Sequence, residues 1–194
     1  MIPASYLVQV VGYQDERQFS QARDSLVSFV KQLPPDSKVT VLKAGHTTEE
    51  LLNITVKATD KSWDTVYKLS YSDFSSASIV SSKMLGNNVA SYFPLSRRLP
   101  DLPEVVVYFI SSDTEVTDIG SYERMNKKTF VILLDQEEPD KAFWAPMATD
   151  EQHIIWHNMS ALFELLEEGT HSNVRLMSRK CFKYRHKNRF TTYG

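Results

Sequence analysis

The sequence predicts an α/β fold, a three-layer sandwich in which helices cover both faces of a mainly parallel central sheet. Short apolar segments rich in β-branched residues alternate along the chain with segments whose apolar residues recur at helical spacing. Two of the apolar segments, 104–110 and 129–135, are apolar on both faces, which is typical of strands in the interior of a parallel sheet.

The N-terminal part predicts two strands on either side of a long helix. Residues 6–13 and 38–45 have the composition of buried strands. Residues 15–33 carry apolar side chains at helical spacing, and Pro34 and Pro35 end the pattern. Beyond them, the sequence favours a helical turn at 46–52, capped by Thr47 or Thr48, and a strand at 53–60. The stretch 61–77 fits either kind of element.

The remainder of the chain predicts alternating strands and helices that end at Gly169. We expect helices at 75–93, 113–128 and 159–169, strands at 104–110, 129–135 and 152–158, and a loop at 136–151. No repeat or linker divides this pattern. The sequence therefore predicts one α/β domain over 1–169, followed by a separate basic segment over 170–194.

Charge is distributed unevenly along the chain. The 22 basic residues include seven in the segment 170–194, which has no Asp or Glu, so 1–169 carries 15 basic and 24 acidic residues, a net charge of −9. Basic residues attract phosphates and aromatic rings stack on bases, so we expect RNA contacts in this segment. Alternatively, it neutralises the acidic body or binds an acidic protein. The expected RNA-binding residues are Arg175, Arg179, Lys180, Lys183, Tyr184, Arg185, Lys187 and Arg189.

Several protein classes are disfavoured by what the sequence lacks. The single cysteine, Cys181, allows no internal disulfide and no zinc ribbon, which fits a reducing compartment. No apolar run is long enough to span a membrane, and the N-terminus does not look like a signal peptide. We therefore expect an intracellular protein, cytoplasmic or nuclear, that does not associate with a membrane. The sequence also lacks the common glycine-rich nucleotide motifs and the G-x-S-x-G nucleophile motif.

Carboxylates follow several of the predicted strands. Asp15 follows the first strand, Asp113 and Glu115 follow 104–110, and Asp135 ends 129–135. Sites in parallel α/β sheets gather beyond the carboxyl ends of the strands, and clustered carboxylates there suit Mg²⁺ or Mn²⁺. The alternative is that Asp113 caps the N-terminus of the helix predicted at 113–128.

A second candidate surface is the segment 141–147, which places Phe143, Trp144 and Met147 in a predicted loop. Aromatic residues and methionine are enriched at the cores of protein interfaces, so these three residues are candidates for binding a protein partner. The alternative is that the loop folds back over the sheet and its apolar residues belong to the core.

The order of these segments resembles a divergent NYN domain, a branch of the PIN-like ribonucleases, over roughly 6–168. The resemblance is carried by "GYQD" at 12–15, by "SSDTEV" at 111–116, and by "TFVILL" at 129–134 followed by "ATDEQHIIWHNMSALFELL". It implies a Rossmann-like, PIN-like fold. It also implies a metal site to which Asp113 and Glu115 would contribute.

The chain departs from that family where the other metal carboxylates would stand. It has Gly12 at the first position and Gln14 at the next, and the middle helix offers Asn87 and Asn88. Because negative ligands supply much of the affinity for a hard cation, we expect a catalytically impaired pseudo-nuclease without a cofactor. Such a domain would bind protein, and possibly RNA, in RNA metabolism.

Two alternatives remain open. One is an active Mg²⁺- or Mn²⁺-dependent single-strand ribonuclease with rearranged ligands, namely Asp15, Asp113, Glu115 and Asp135. The other is a Rossmann-like protein-interaction domain without a nucleic-acid role, such as a von Willebrand A-like domain. That domain uses a D-x-S-x-S metal motif after its first strand, whereas residues 13–17 here read "YQDER".

Overall fold

The computed structural model describes residues 3–13, 16–54, 68, 79–93, 102–134, 138–156 and 159–167. Its strands are β1 (Ser5–Val11), β2 (Lys38–Ala44), β3 (Thr48–Ile54), β4 (Ile79–Ser81), β5 (Glu104–Ile110), β6 (Glu115–Thr117), β7 (Lys128–Ile132) and β8 (Ile154–Ile155). Its helices are α1 (Glu16–Gln32), α2 (Ser82–Tyr92), α3 (Lys141–Trp144) and α4 at 160–167. Short 3₁₀ turns lie at Ile119–Ser121 and Glu151–His153.

Six strands form one sheet in the order β3-β2-β1-β5-β7-β8. Every neighbouring pair is parallel except β2 and β3, which are antiparallel. The central strand β1 pairs with β2 and β5 along its whole length, which brings the carboxyl ends of these three strands to the same edge. A separate two-stranded parallel sheet joins β4 to β6. The prediction of a mainly parallel central sheet is confirmed.

Both faces of the sheet are covered, as the predicted three layers require. Alternate residues of a strand point to opposite faces. On β1, Tyr6, Val8 and Val10 join the core under α1 and α4, while Leu7 and Val11 join the core under α2 and α3. Within the part of the chain that the structure describes, no helix is long and apolar enough to cross a membrane.

Helix α1 forms where the helical spacing predicted it. Its buried residues recur every three or four positions, so they lie on one face against the sheet: Phe19, Ala22, Leu26, Val27, Phe29 and Val30. The Phe29 ring meets Tyr6 of β1 edge to face, with 5.5 Å between centroids. Full burial of such a side chain contributes about 1.5–3 kcal/mol. This face therefore fixes α1 against the central strands.

The helical turn predicted at 46–52 is wrong. Residues 45–47 form a tight turn, closed by a 3.1 Å hydrogen bond from Gly45 N–H to Thr47 O, and β3 then returns antiparallel to β2. Pairing across the two strands, including an ion pair between Lys43 and Glu49, overrides the local helical propensity of the Thr-Glu-Glu-Leu-Leu stretch. The predicted strand at 53–60 therefore begins earlier, at Thr48. Residues 55–60 lie outside the described residues, as does 61–77 except for Lys68.

The helix predicted at 113–128 is also wrong. Residues 115–117 form β6, Ile119–Ser121 is a 3₁₀ turn, and 122–127 is irregular up to β7. The β-branched pair Val116–Thr117 suits a strand, and Asp118 has a left-handed backbone with φ of 55° that interrupts a helix.

Five other elements differ in smaller ways from their predicted bounds. Within the described residues, the helix predicted at 75–93 is β4 followed by α2, the loop at 136–151 contains α3, and the strand at 152–158 is formed only at Ile154–Ile155. The helix predicted at 159–169 is observed over 160–167. The strand predicted at 129–135 is shifted, since β7 spans Lys128–Ile132.

Candidate functional site

The predicted site lies where β1 and β5 end beside each other. Val11 pairs with Ile110, and the Ser111 N–H donates to Val11 O at 3.1 Å, so the pairing continues one residue past β5. We call residues 11–13 and 110–114 the β1–β5 exit. In a parallel α/β sheet this edge is where ligands usually bind.

The β1–β5 exit is closed by Gly12 and Thr114. Gly12 has a left-handed backbone, with φ of +64°, and its carbonyl accepts a 2.7 Å hydrogen bond from the buried Thr114 hydroxyl. A Cβ atom placed on Gly12 would lie 1.8 Å from Thr114 Oγ1 and 2.8 Å from Thr114 Cβ, closer than atoms can approach. No carboxylate fits at position 12 with Thr114 in this place. The glycine found where the NYN resemblance expects a metal carboxylate thus has a packing reason.

Further hydrogen bonds tie the β1–β5 exit to the first turns of α1. Gln18 Nε2 donates to Ser112 Oγ, and Ser111 Oγ donates to Gln18 Oε1, each at 3.4 Å. The Ser111 hydroxyl also accepts from the Asp113 N–H at 3.3 Å. The Thr114 N–H donates to Ser111 O at 3.1 Å, which closes the turn that brings Thr114 over Gly12. The polar side chains at this edge are therefore engaged with one another.

The structure does not assemble the predicted carboxylates into a metal site. Asp113 and Glu115 are both exposed, and no group of three or more His, Cys, Asp or Glu residues suited to a metal occurs among the described residues. Asp15 and Asp135 lie outside the described residues. Capping is excluded as well, because Asp113 sits in a turn before β6 and no helix begins there. The alternative that Asp113 is a helix cap is therefore wrong.

The predicted partner-binding segment divides into core and surface. Trp144 is 5% exposed and Met147 is fully buried, so both belong to the core under α2 and α3 and cannot form a contact surface. Phe143 is 41% exposed, with its ring edge-on to Trp144 at 4.9 Å. On the same short helix, Lys141 Nζ lies 4.4 Å from the Trp156 ring centroid. The expectation of an exposed loop thus holds for Phe143 alone.

The RNA-binding residues predicted in the segment 170–194 lie outside the described residues. They are Arg175, Arg179, Lys180, Lys183, Tyr184, Arg185, Lys187 and Arg189. Their RNA contacts stay a prediction from the sequence.

A buried polar chain crosses the core between the sheet and α2, and the sequence analysis missed it. Gln9 Oε1 accepts from Asn88 Nδ2 at 2.8 Å, and Gln9 Nε2 donates to Leu85 O at 3.1 Å and to Tyr108 Oη at 3.4 Å. Asn88 Oδ1 in turn accepts from the Thr48 hydroxyl at 3.0 Å. The signal was present in "YLVQVV", where one amide interrupts an apolar strand. Asn88 thus fastens α2 to β1.

The polar chain ends at a shallow cleft. Tyr108 Oη and Tyr122 Oη lie 2.7 Å apart, and Tyr122 lines a cleft of about 300 Å³ between one flank of α2 and residues 121–125. Burial raises the pKa of Tyr108 well above its usual range and also raises that of Tyr122. Both phenols therefore stay protonated at neutral pH, which keeps the hydrogen bond between them.

Comparisons with solved structures identify the fold. Proximal thread matrix protein 1 from the mussel byssus superposes with a TM-score of 0.63 at 11% identity, covering 81% of this chain and 44% of that chain. The same mussel protein with a zinc-occupied MIDAS motif gives a TM-score of 0.63 at 12% identity, covering 86% and 46%. BatB from Bacteroides thetaiotaomicron gives 0.60 at 10% identity, covering 89% of this chain and 99% of that chain. No family model and no curated protein matches the sequence.

These neighbours are von Willebrand A-like, and at this identity they show the fold alone. The chain spans less than half the length of the mussel protein. The metal site implied by such a fold does not suit these residues, because Gly12 admits no side chain and residues 12–17 contain no serine for a D-x-S-x-S motif. The resemblance to NYN domains is not tested by these neighbours and stays a prediction.

Proposed function

We propose that this chain is a protein-interaction domain that recognises its partner without a bound metal ion. The observation that carries the proposal is the contact between Gly12 and Thr114, which fills the place of a metal-binding side chain at the β1–β5 exit. The von Willebrand A-like fold of the neighbours is compatible with protein binding. The proposal follows the third interpretation of the sequence and sets aside the two that centre on a nuclease.

The surface proposed for the partner centres on Phe143 and includes Lys141, on the same short helix, and Trp156, over which Lys141 lies; we call these three residues the aromatic patch. Phe143 is one of two large apolar side chains exposed in the described part of the chain; the other is Ile79, at 53%. An exposed aromatic ring and, on the same short helix, a cation placed over an indole offer apolar area and positive charge to a partner. Aromatic side chains dominate the binding energy of many protein interfaces. We therefore assign the contact to Phe143 rather than to the residues of the β1–β5 exit.

The proposal is tested by affinity purification from cell extract with quantitative mass spectrometry, in Mg²⁺ and in EDTA. Phe143→Ser removes the exposed ring, and Ile79→Ser is the matched control because it removes the other exposed apolar side chain. We expect a partner that the wild-type chain and Ile79→Ser both retain in EDTA, and that Phe143→Ser loses by tenfold or more. Circular dichroism of both variants checks that the fold is kept.

Two results would contradict the proposal. One is that every specific interactor is released by EDTA. The other is cleavage of single-stranded RNA in Mn²⁺ that is lost in Asp113→Asn, which would restore Asp113 and Glu115 as ligands of an active ribonuclease.

RNA binding is a second candidate function, favoured by the composition of the segment 170–194. Seven basic residues interleaved with aromatic residues, and no acidic residue, suit a single strand of RNA. In a mobility-shift assay, we expect removal of 170–194 to abolish RNA binding, and the binding of the intact chain to weaken as salt rises. If binding survives the deletion, it belongs to the α/β domain.

A further inference from the structure

A buried histidine stands at the start of the last strand of the sheet. His153 ends the 3₁₀ turn Glu151–His153 and is followed directly by β8. Its side chain is buried, and its ring centroid lies 4.5 Å from that of Phe130 on β7. The ring is therefore packed against β7 at the residue that leads into β8.

The two ring nitrogens of His153 have opposite surroundings. Nδ1 lies 2.5 Å from Asp150 Oδ1, and the same oxygen accepts the N–H groups of Gln152 at 2.9 Å and of His153 at 3.3 Å. Nε2 is buried and has no hydrogen-bond partner among the described residues. The neutral ring therefore donates through Nδ1 to Asp150 and leaves an unused lone pair on Nε2. Protonation would place a second N–H there without an acceptor.

Charged groups act on the ring in both directions, and Asp150, which favours its protonation, acts more strongly than either cation. Lys128 on β7 and Arg124 on the preceding segment both disfavour a positive charge, and Asp150 favours it. Both cations are held in place, because Lys128 Nζ donates to Leu165 O at 2.8 Å and Arg124 donates to Thr149 O at 2.9 Å. Burial is the largest influence, and together these effects lower the pKa of His153.

The strand that follows this residue is joined to its neighbour by the fewest residue pairs in the six-stranded sheet, as far as the structure describes it. β8 pairs with β7 through two residue pairs, Val131–Ile154 and Ile132–Ile155, extended by one hydrogen bond from Leu133 N–H to Ile155 O at 2.8 Å. By comparison, β1 and β5 pair through seven residues. Little sheet structure opposes release of β8 once the ring is expelled.

We propose that His153 and Asp150 form a pH-sensitive latch that holds β8 on β7 while His153 is neutral and releases it when His153 is protonated. In the closed state the ring packs on Phe130, and Asp150 holds Nδ1 and the turn. A protonated ring reaches water only by leaving Phe130, and it draws Ile154 with it. Trp156 of the aromatic patch directly follows β8, so release of the strand would also displace that residue, but the test below reads the strand itself and does not depend on partner binding.

The sign of the pH dependence follows from the lowered pKa. The open state has the ordinary histidine pKa of about 6.5 and binds a proton more readily than the closed state. The closed state is fully favoured above that pH, and its advantage is lost as pH falls from about 6.5 towards the pKa of the closed state. One proton is linked, so the open fraction rises by up to about tenfold per pH unit in this window. Asp150 also has a lowered pKa and stays ionised there.

The test is hydrogen exchange of the whole chain between pH 7.5 and 5.5, corrected for the intrinsic dependence of exchange on pH. A peptide covering 150–156 reports the latch, and one covering 5–11 reports global opening. The variant His153→Asn keeps a donor for Asp150 and cannot titrate. The control is His46→Asn, which removes an exposed histidine. We expect opening at 150–156 to rise with acidification in wild type and in His46→Asn, and to be flat in His153→Asn.

The proposal is overturned if wild-type exchange at 150–156 is independent of pH, or if His153→Asn keeps the wild-type slope. Should that variant fail to fold, NMR titration of the His153 imidazole in the wild-type chain decides instead. A pKa below 6.5, with amide signals of 154–155 changing over the same pH range, supports the latch. A pKa at or above 6.5 rejects it.

Discussion

The β1–β5 exit and the junction of β7 with β8 lie on the same sheet but differ in whether their buried polar groups have hydrogen-bond partners. At the exit, the Thr114 hydroxyl and the Gly12 carbonyl satisfy each other at 2.7 Å. At the junction, Asp150 satisfies one nitrogen of His153, and the buried Nε2 has no partner among the described residues. Packing therefore pairs these two polar groups with each other in the first region and leaves a buried ring nitrogen without a described partner in the second.

The difference follows from the extent of strand pairing. Seven residue pairs hold β1 to β5, so the turn beyond them can support a close contact that needs a glycine. Two residue pairs join β8 to β7. Side-chain hydrogen bonds, such as the one that Arg124 donates to Thr149 O, lie near this junction. We expect substitutions at the exit to change global stability, and substitutions at the junction to change local opening.

The largest effect is expected for Gly12→Asp, which introduces a carboxylate at the exit. The new Cβ would clash with Thr114 and the positive φ would be strained, so we expect a loss of about 3–5 kcal/mol in the free energy of unfolding. Urea denaturation measures it. The matched control is Gly120→Asp, because no atom lies within 4 Å of a Cβ at Gly120 and its φ is not left-handed. Equal effects of the two substitutions would show that the exit is not closed.

A double-mutant cycle sharpens this comparison. In a Thr114→Ala background the atom that would lie nearest to a Cβ at position 12, Oγ1, is gone, so Gly12→Ala should cost less than it does in the wild-type chain. If Gly12→Ala lowers the free energy of unfolding by the same amount in both backgrounds, the strain lies in the backbone of Gly12 alone.

A smaller loss, about 2–4 kcal/mol, is expected for Gln9→Leu, since it leaves Asn88 Nδ2 and Leu85 O buried without their partner. Thermal and urea unfolding measure it. The double variant Gln9→Leu with Asn88→Leu should be less destabilised than the sum of the single variants, because the first substitution already breaks their shared bond. Additive losses would mean that the two amides do not act as one unit.

The smallest of the three effects is expected for Thr114→Val. Valine keeps the shape of threonine but leaves the Gly12 carbonyl without its hydrogen bond, which costs about 1–3 kcal/mol. Thr117→Val on the partly exposed β6 is the control, and it should change stability by less than about 0.5 kcal/mol. A neutral Thr114→Val would mean that water satisfies the carbonyl and that the exit is open to solvent.

The fold was largely predictable because its signals are local. The apolar segment at 104–110 corresponds to β5 in the interior of the sheet, and the helical spacing of 15–33 corresponds to α1 packed on one of its faces. The helix predicted at 113–128 failed for a non-local reason. Thr114 bonds to Gly12, 102 positions earlier in the chain, and β6 pairs with β4. Neither contact leaves a trace in local spacing.

The candidate site was less predictable than the fold. The sequence shows that Gly12 is not a carboxylate, but only the backbone φ and the position of Thr114 explain why. Gln9 and Asn88 each look like isolated polar residues until the strand and α2 are brought together. Trp144 and Met147 were assigned to a surface because composition alone does not distinguish an interface from a core.

The central claim, that the β1–β5 exit does not bind a metal, is tested most directly by thermal unfolding of the wild-type chain and of Asp113→Asn with Mg²⁺, with Mn²⁺ and with EDTA. A site with a dissociation constant one hundredth of the cation concentration would add about 2.7 kcal/mol. The closed exit predicts that neither cation shifts the melting temperature beyond the effect of matched ionic strength. A saturable rise in wild type that Asp113→Asn abolishes would contradict it.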